Sequence, residues 1–340
     1  MKQHDTASMS LFNQQSIALQ QRHADKAFPL VLMPSHQIAN FDEVAQQREA
    51  LMDQLAIHGA IVFRGCGITD DQSFDRFVMA FGLENFPYDE SLSNAVRRNR
   101  TPRIFTANEA PCAVEIFLHH EMAQTPLFPR YLFFCCEQAA AVGGATPLCR
   151  SDVLLQRLQA RLPRFIKRCR EKGACYSLVM PGVADQASGQ GRSWRDTLGV
   201  TSREAAEARL ASLDYQWRWL PEECLAVTTP ALPLIRQTSA GQGVFFNQLI
   251  AAFCGWRDQR NEKSRSVTYG DGSTIDEEDL KAATDMAYDL SFDLNWQTGD
   301  VALIDNDRVM HGRRPFHGSR SVLASLCANS PSPSLYDRKS

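Results

Sequence analysis

Cysteine is too sparse in this chain to build a scaffold, and none of it falls in a CxxC pair. Ten cysteines in 340 residues argue against a disulfide framework, and thiolate-bound zinc loses its usual signature. Long apolar runs are missing too: nothing approaches the roughly 18 consecutive residues that a membrane span needs. The opening stretch, Met1 to Lys26, is polar with mixed charge and holds no apolar secretion core. Charge of one sign is equally scarce. Acidic residues number 39 against 36 basic ones, a formal net charge of −3, and no basic block gathers. Nucleic acid is therefore not an expected partner. GxSxG, Walker and HExxH motifs are absent, as is any repeat of a solenoid. A soluble protein of the reducing cytoplasm, without a membrane segment, is the expectation.

What is present reads as one domain. Residues 1–26 and 329–340, the latter with Ser330-Pro-Ser-Pro-Ser, have the composition of mobile tails around a single domain over 27–328. Apolar spacing from Phe41 to Ile57 suits a helix, Ala60-Ile-Val-Phe a buried strand, and Asp70 to Phe81 a helix capped by Thr69 or Asp70. Thereafter short strands dominate: 117–121, 130–137, 145–149, 174–180, 214–219, 232–237, 243–247, 300–304 and 321–327. Helices interrupt them at Ser151–Leu162, with Ser151 as cap, at Pro163–Glu171, and from the acidic turn after Ser273 to about Leu290. The fold class expected is mainly β with helical insertions (α+β), closed as a barrel or sandwich.

The chemistry gathers in two distant places. Phe117-Leu-His119-His120-Glu121-Met122 offers a His-x-Glu pair, and in a strand residues two apart share a face, so His119 and Glu121 can reach one ion while His120 points away. Asp305-Asn-Asp-Arg-Val-Met-His311 offers a second histidine after a strand pattern. Two imidazoles and a carboxylate form the facial set that suits ferrous iron and leaves positions open. Singly, each motif is weak; a solvated strand face or a turn histidine at Gly312 would explain it. Arg320 opens an apolar strand, where a guanidinium needs a carboxylate partner and could grip a dicarboxylate in bidentate fashion. Thr146, in Gly143-Gly-Ala-Thr-Pro147, could donate to the same group, although Gly-Gly and Thr-Pro also read as an ordinary turn. Arg313 is balanced between a solvated charge and a grip for a substrate anion, whereas Arg314 is assigned to solvent.

At these residues the chain resembles the taurine dioxygenase superfamily of iron and 2-oxoglutarate oxygenases, and within it the clavaminate synthase-like group. That group includes plant proteins of that name and bacterial hydroxylases of peptide-antibiotic pathways. The matching stretches include Phe105-Thr-Ala-Asn-Glu109, His119-His-Glu-Met-Ala-Gln124, Gly143 to Pro147, Phe246-Asn247, Asp300 to Asn306 and His311 to Leu326. The resemblance implies a double-stranded β-helix (jelly-roll) core, Fe(II) held by His119, Glu121 and His311, and 2-oxoglutarate held by Arg320 and Thr146, with O2 as the oxidant. Arg313, Asn108 and Asn247 become candidate substrate-binding residues. The implied substrate is an amino acid or small derivative, free or tethered to a carrier protein. It would be hydroxylated, with desaturation or epoxidation as alternatives on the same site. A carboxylate at Glu121 speaks against halogenation. Four residues past Arg320, where taurine-type members carry a second arginine for the substrate anion, stands Ala324, which speaks against a sulfonate substrate. A non-catalytic jelly-roll that binds a small ligand, and a zinc hydrolase with no use for Arg320, are the competing classes. Oligomeric state is not legible.

Overall fold

The computed structural model describes residues 11–88, 91–185, 191–256 and 266–328. The chain mixes helices with a larger number of strands, and three sheets carry most of the latter. The largest has seven strands in the order Phe12–Gln15, Leu30–Pro34, Ala60–Phe63, Val301–Asp305, Tyr131–Gln138, Ser321–Cys327, Phe105–Thr106. Its pairings are antiparallel except that between Leu30–Pro34 and Ala60–Phe63. A four-stranded sheet runs Ser291–Leu294, Thr146–Arg150, Val309–Arg313, Ile116–His119. A third joins Gln216–Trp219, Leu225–Thr228, Ala174–Met180 and Val267–Tyr269.

Strand alternation explains how the first two sheets sit. In the central strand, Val301 and Leu303 pack with Phe74, Phe77 and Leu51 from the helices Asp71–Met79 and Arg48–His58. Ala302 and Ile304 point the other way and pack with Leu148, Phe292 and Val309 of the four-stranded sheet. The strand is thus buried on both faces, which is why its sequence reads as an unbroken apolar run. Asp70 caps its helix as expected, accepting from the Ser73 amide at 2.7 Å while Ser73 answers the Asp70 amide at 3.1 Å.

Several expectations need correction. Residues 11–26 are folded rather than a tail: Leu11 and Phe12 are buried, and Phe12–Gln15 pairs along Leu30–Pro34, because the edge of the large sheet offers unpaired backbone to it. Residues 1–10 and the expected tail at 329–340 lie outside the described residues. The helix expected from Phe41 to Ile57 is two, Asp42–Gln46 and Arg48–His58. Ser151 does not cap its helix; it is the first helical residue, and its hydroxyl donates to the Arg308 carbonyl at 3.0 Å. Among the described residues no helix is long and apolar enough to cross a membrane, and all ten cysteines are free.

Candidate metal centre

Strand register brings the distant histidines together. His311 stands directly opposite His119 on one side and Leu148 on the other. Cross-strand partners share a face, and residues two apart share it too, so His119, His311, Leu148 and Thr146 all face the same way. Gly312 permits this closeness. A Cβ there would lie 2.4 Å from the Ile116 carbonyl oxygen, and the register shifts between His311 and Arg313. His311 is therefore mid-strand in Val309–Arg313, not at a strand end as its sequence suggested.

The strand bearing His119 ends at that residue, so Glu121 lies just beyond it rather than two places along it. The chain turns sharply there, with Met122 at a φ of 59°. Asn306 holds the turn in place. Its side-chain oxygen accepts from the Glu121 amide at 2.8 Å, and its amide nitrogen donates to the Glu121 and Pro129 carbonyls at 3.1 and 2.7 Å. His120 points away from the cluster, as alternation required, and its Nδ1 pairs with the Asn306 carbonyl.

One ligand atom from each of His119, Glu121 and His311 lies within 4.8 Å of the others. Nδ1 of His119 donates to the Phe117 carbonyl at 2.7 Å, which leaves Nε2 with its lone pair for a cation. Burial, followed by the neighbouring His311 charge, pushes the His119 imidazole down to about 4, so it is a neutral donor at physiological pH. Burial would raise the Glu121 carboxyl, but the Arg97 guanidinium and then the His311 ring outweigh it and hold the group well below the usual carboxylate range. Nε2 of His311 lies 3.4 Å from Glu121 Oε2, and its Nδ1 is buried with no partner among the described residues. Two imidazole nitrogens and a carboxylate, converging and buried, fit a first-row divalent ion with open positions.

Arg320 sits half-buried close to this wall. Its Nε donates to the Gly144 carbonyl at 3.0 Å, and no carboxylate pairs with it among the described residues. Burial, and then the charge of Arg313, push it down to about 10. The Gly-Gly pair is more than an ordinary turn: a Cβ on Gly144 would meet the Arg320 side chain at 2.9 Å. Two residues on, Thr146 is buried and its hydroxyl accepts from Trp296 Nε1 at 2.9 Å, which leaves the hydroxyl proton free to donate.

The expected substrate contacts fare differently. Arg313 is buried, and its terminal nitrogens donate to the carbonyls of Asn108, Ala110, Pro111 and Val114 at 2.7–3.4 Å. That geometry clamps the 108–114 loop and leaves no fork for a substrate anion. Asn247 is also internal, accepting from the Leu249 amide at 3.0 Å and donating to the Leu234 carbonyl at 3.4 Å. Asn108 is half-buried, and its side-chain oxygen accepts from the Ala110 amide at 3.0 Å. Arg314 is not simply solvated; it pairs with Glu115 and Asp293 and lies over Tyr288. Sequence reasoning missed Arg97 altogether. It lies in a run of arginines whose members Arg98 and Arg100 are exposed ion pairs, so nothing local marks it out.

The family model described as Taurine catabolism dioxygenase TauD, TfdA family matches residues 33–326. A clavaminate synthase-like protein of Arabidopsis thaliana is 35% identical over 320 residues, covering 91% of this chain and 96% of that protein. The dapdiamide synthesis protein DdaC of Enterobacter agglomerans is 27% identical over 288 residues, covering 80% and 83%. Among solved structures, PvcB from Pseudomonas aeruginosa overlays with a TM-score of 0.53 at 16% identity, covering 89% of this chain and 86% of that one. PvcB is described as an Fe, α-ketoglutarate dependent oxygenase from an isonitrile synthetic pathway, and the likeness to it is one of fold.

Proposed function

The chain belongs to the TauD, TfdA dioxygenase family, and from that premise we propose that it is an Fe(II)- and 2-oxoglutarate-dependent oxygenase hydroxylating an amino acid or small amino-acid derivative. The observation that carries this reading is the convergence of His119, Glu121 and His311 within 4.8 Å, with Arg320 lacking a carboxylate partner among the described residues. His119, Glu121 and His311 would hold the ion. Arg320 would grip the far carboxylate of 2-oxoglutarate, and Thr146 would donate to it. When bound, iron and the keto acid supply dioxygen activation coupled to loss of carbon dioxide and formation of succinate.

The protein's own part is to hold and to exclude. Asn306 fixes the Glu121 backbone, Phe117 fixes the His119 ring, and the apolar layer between the sheets, with Phe134 against His311, keeps water out. The same reading includes a double-stranded β-helix core, formed where the four-stranded sheet faces the large one, and a cytoplasmic location in keeping with free cysteines. A small-molecule substrate, free or on a carrier, in a biosynthetic pathway is supported by the naming of DdaC for dapdiamide synthesis.

A screen of amino acids and carrier-bound aminoacyl groups for succinate release from 2-oxoglutarate tests this. The expected result is succinate that depends on one class of partner and on His119. Iron-loaded protein that consumes no keto acid with any partner, while His119→Ala behaves identically, would contradict it.

A further inference from the structure

Arg97 lies against Glu121 with Nη2 at 3.0 and 3.2 Å from its two oxygens, and only 6% of its side chain is exposed. Its Nε and Nη1 are buried and have no acceptor among the described residues. Charged donors buried without a protein acceptor are strongly unfavourable, so a partner is expected to meet them. The residue is firmly placed. The Arg98 amide donates to Thr106 Oγ1 at 2.9 Å, the Thr106 amide donates to the Arg98 carbonyl at 2.9 Å, and Asn99 bridges to Phe105. The rings of Tyr88 and Phe105 lie 4.9 and 5.4 Å from the guanidinium carbon. Orienting Glu121 uses Nη2 alone and leaves the other two nitrogens unexplained.

Charge balance points the same way and rests on the oxygenase reading above. Arg97, Arg320 and a ferrous ion would face one carboxylate ligand and a dianionic keto acid. One positive charge would then stand uncompensated in a buried space, which is unfavourable. Ala324, fully buried and neutral, offers no anion grip from its strand. We propose that Arg97 recognises a free carboxylate on the substrate through Nη1 while Nη2 holds Glu121, so that the substrate is a free carboxylic acid and not a carboxyl-blocked or thioester-tethered form.

The test uses the full chain, kept anaerobic with Fe(II) and 2-oxoglutarate, whose visible charge-transfer band responds to molecules bound beside the metal. The probes are the common L-amino acids, their carboxamides, and phosphopantetheine thioesters of the same acids. The expected result is a band shift with one or more free acids and none with the matching amide or thioester. In Arg97→Gln the band persists and the apparent affinity for the responding acid falls on the order of 10- to 100-fold. Arg97→Lys, which keeps the charge, recovers part of that loss and carries the comparison should Arg97→Gln fail to form the band. A shift given equally by amide or thioester, a band untouched by any free acid, or an Arg97→Lys and Arg97→Gln response equal to the parent's would overturn the inference alone. Absence of the band in the parent would instead sink the oxygenase reading and this inference with it.

Discussion

The two faces of the seven-stranded sheet are built on opposite principles. Behind it, Leu30, Leu32, Ile61, Phe63, Phe133, Val301, Leu303 and Leu323 pack into an apolar cluster with helix side chains such as Leu51, Phe74 and Phe77, with edge-to-face aromatic pairs such as Phe63–Phe77 at 5.2 Å. In front of it, an apolar layer of the same kind runs up to His311, Glu121, Asn306 and Arg97, all buried and joined by hydrogen bonds or ion pairs. The first face stabilises the fold by burial alone. The second keeps ionised groups in low-dielectric surroundings, which is tolerable only when each is paired or awaits a ligand. Stability and chemistry are thus separated by the thickness of one strand.

That separation can be broken experimentally. The largest effect is expected from His311→Ala, which should weaken metal uptake by more than the roughly 100-fold that loss of an outer partner typically costs; metal titration by calorimetry checks it. Next, Leu303→Ala on the helix-backed face should lower unfolding stability by about 2–5 kcal/mol in a denaturant melt, while the folded fraction keeps the parent's metal affinity. If Leu303→Ala abolished metal uptake without loosening the fold, the division between faces would fail. Arg320→Ala should raise the 2-oxoglutarate requirement on the order of 10- to 100-fold, as loss of a charge-assisted pair implies, with the melt little changed. The smallest effect belongs to Asp70→Ala, an exposed cap on the helix that backs the sheet, at about 1 kcal/mol for a lost helix cap. Hydrogen bonds from Ser73 lower the Asp70 carboxyl. Its contribution is therefore complete above the ordinary aspartate range and disappears only as acid carries the pH down through the lowered value; a melt series in acid reads this out.

Legibility in the sequence followed the same divide. Strands such as Ala174–Met180 and Ser321–Cys327 were expected over the residues where they occur, since their apolar residues alternate or run unbroken. Short strands such as Leu225–Thr228 and Ser291–Leu294 were missed because their pairing partners, rather than their own composition, make them strands. His119, Glu121 and His311 stood out as sparse residue types near strand patterns. Their juxtaposition depends on a register that only the folded sheet supplies. Arg313 misled because charge alone does not reveal whether a guanidinium meets a ligand or a row of carbonyls. Arg97 was invisible for the converse reason: its partner is 24 residues away along the chain.

On the proposed reading, three side chains from distant segments share one ferrous ion beside a cation that holds a keto acid. Anaerobic addition of Fe(II) and then 2-oxoglutarate to the purified protein tests it most directly. A visible charge-transfer band should develop at one iron per chain, vanish in His119→Ala, and demand far more 2-oxoglutarate in Arg320→Ala. A parent protein that binds iron yet gives no band at saturating 2-oxoglutarate, or a band that persists unchanged in His119→Ala, would contradict the account.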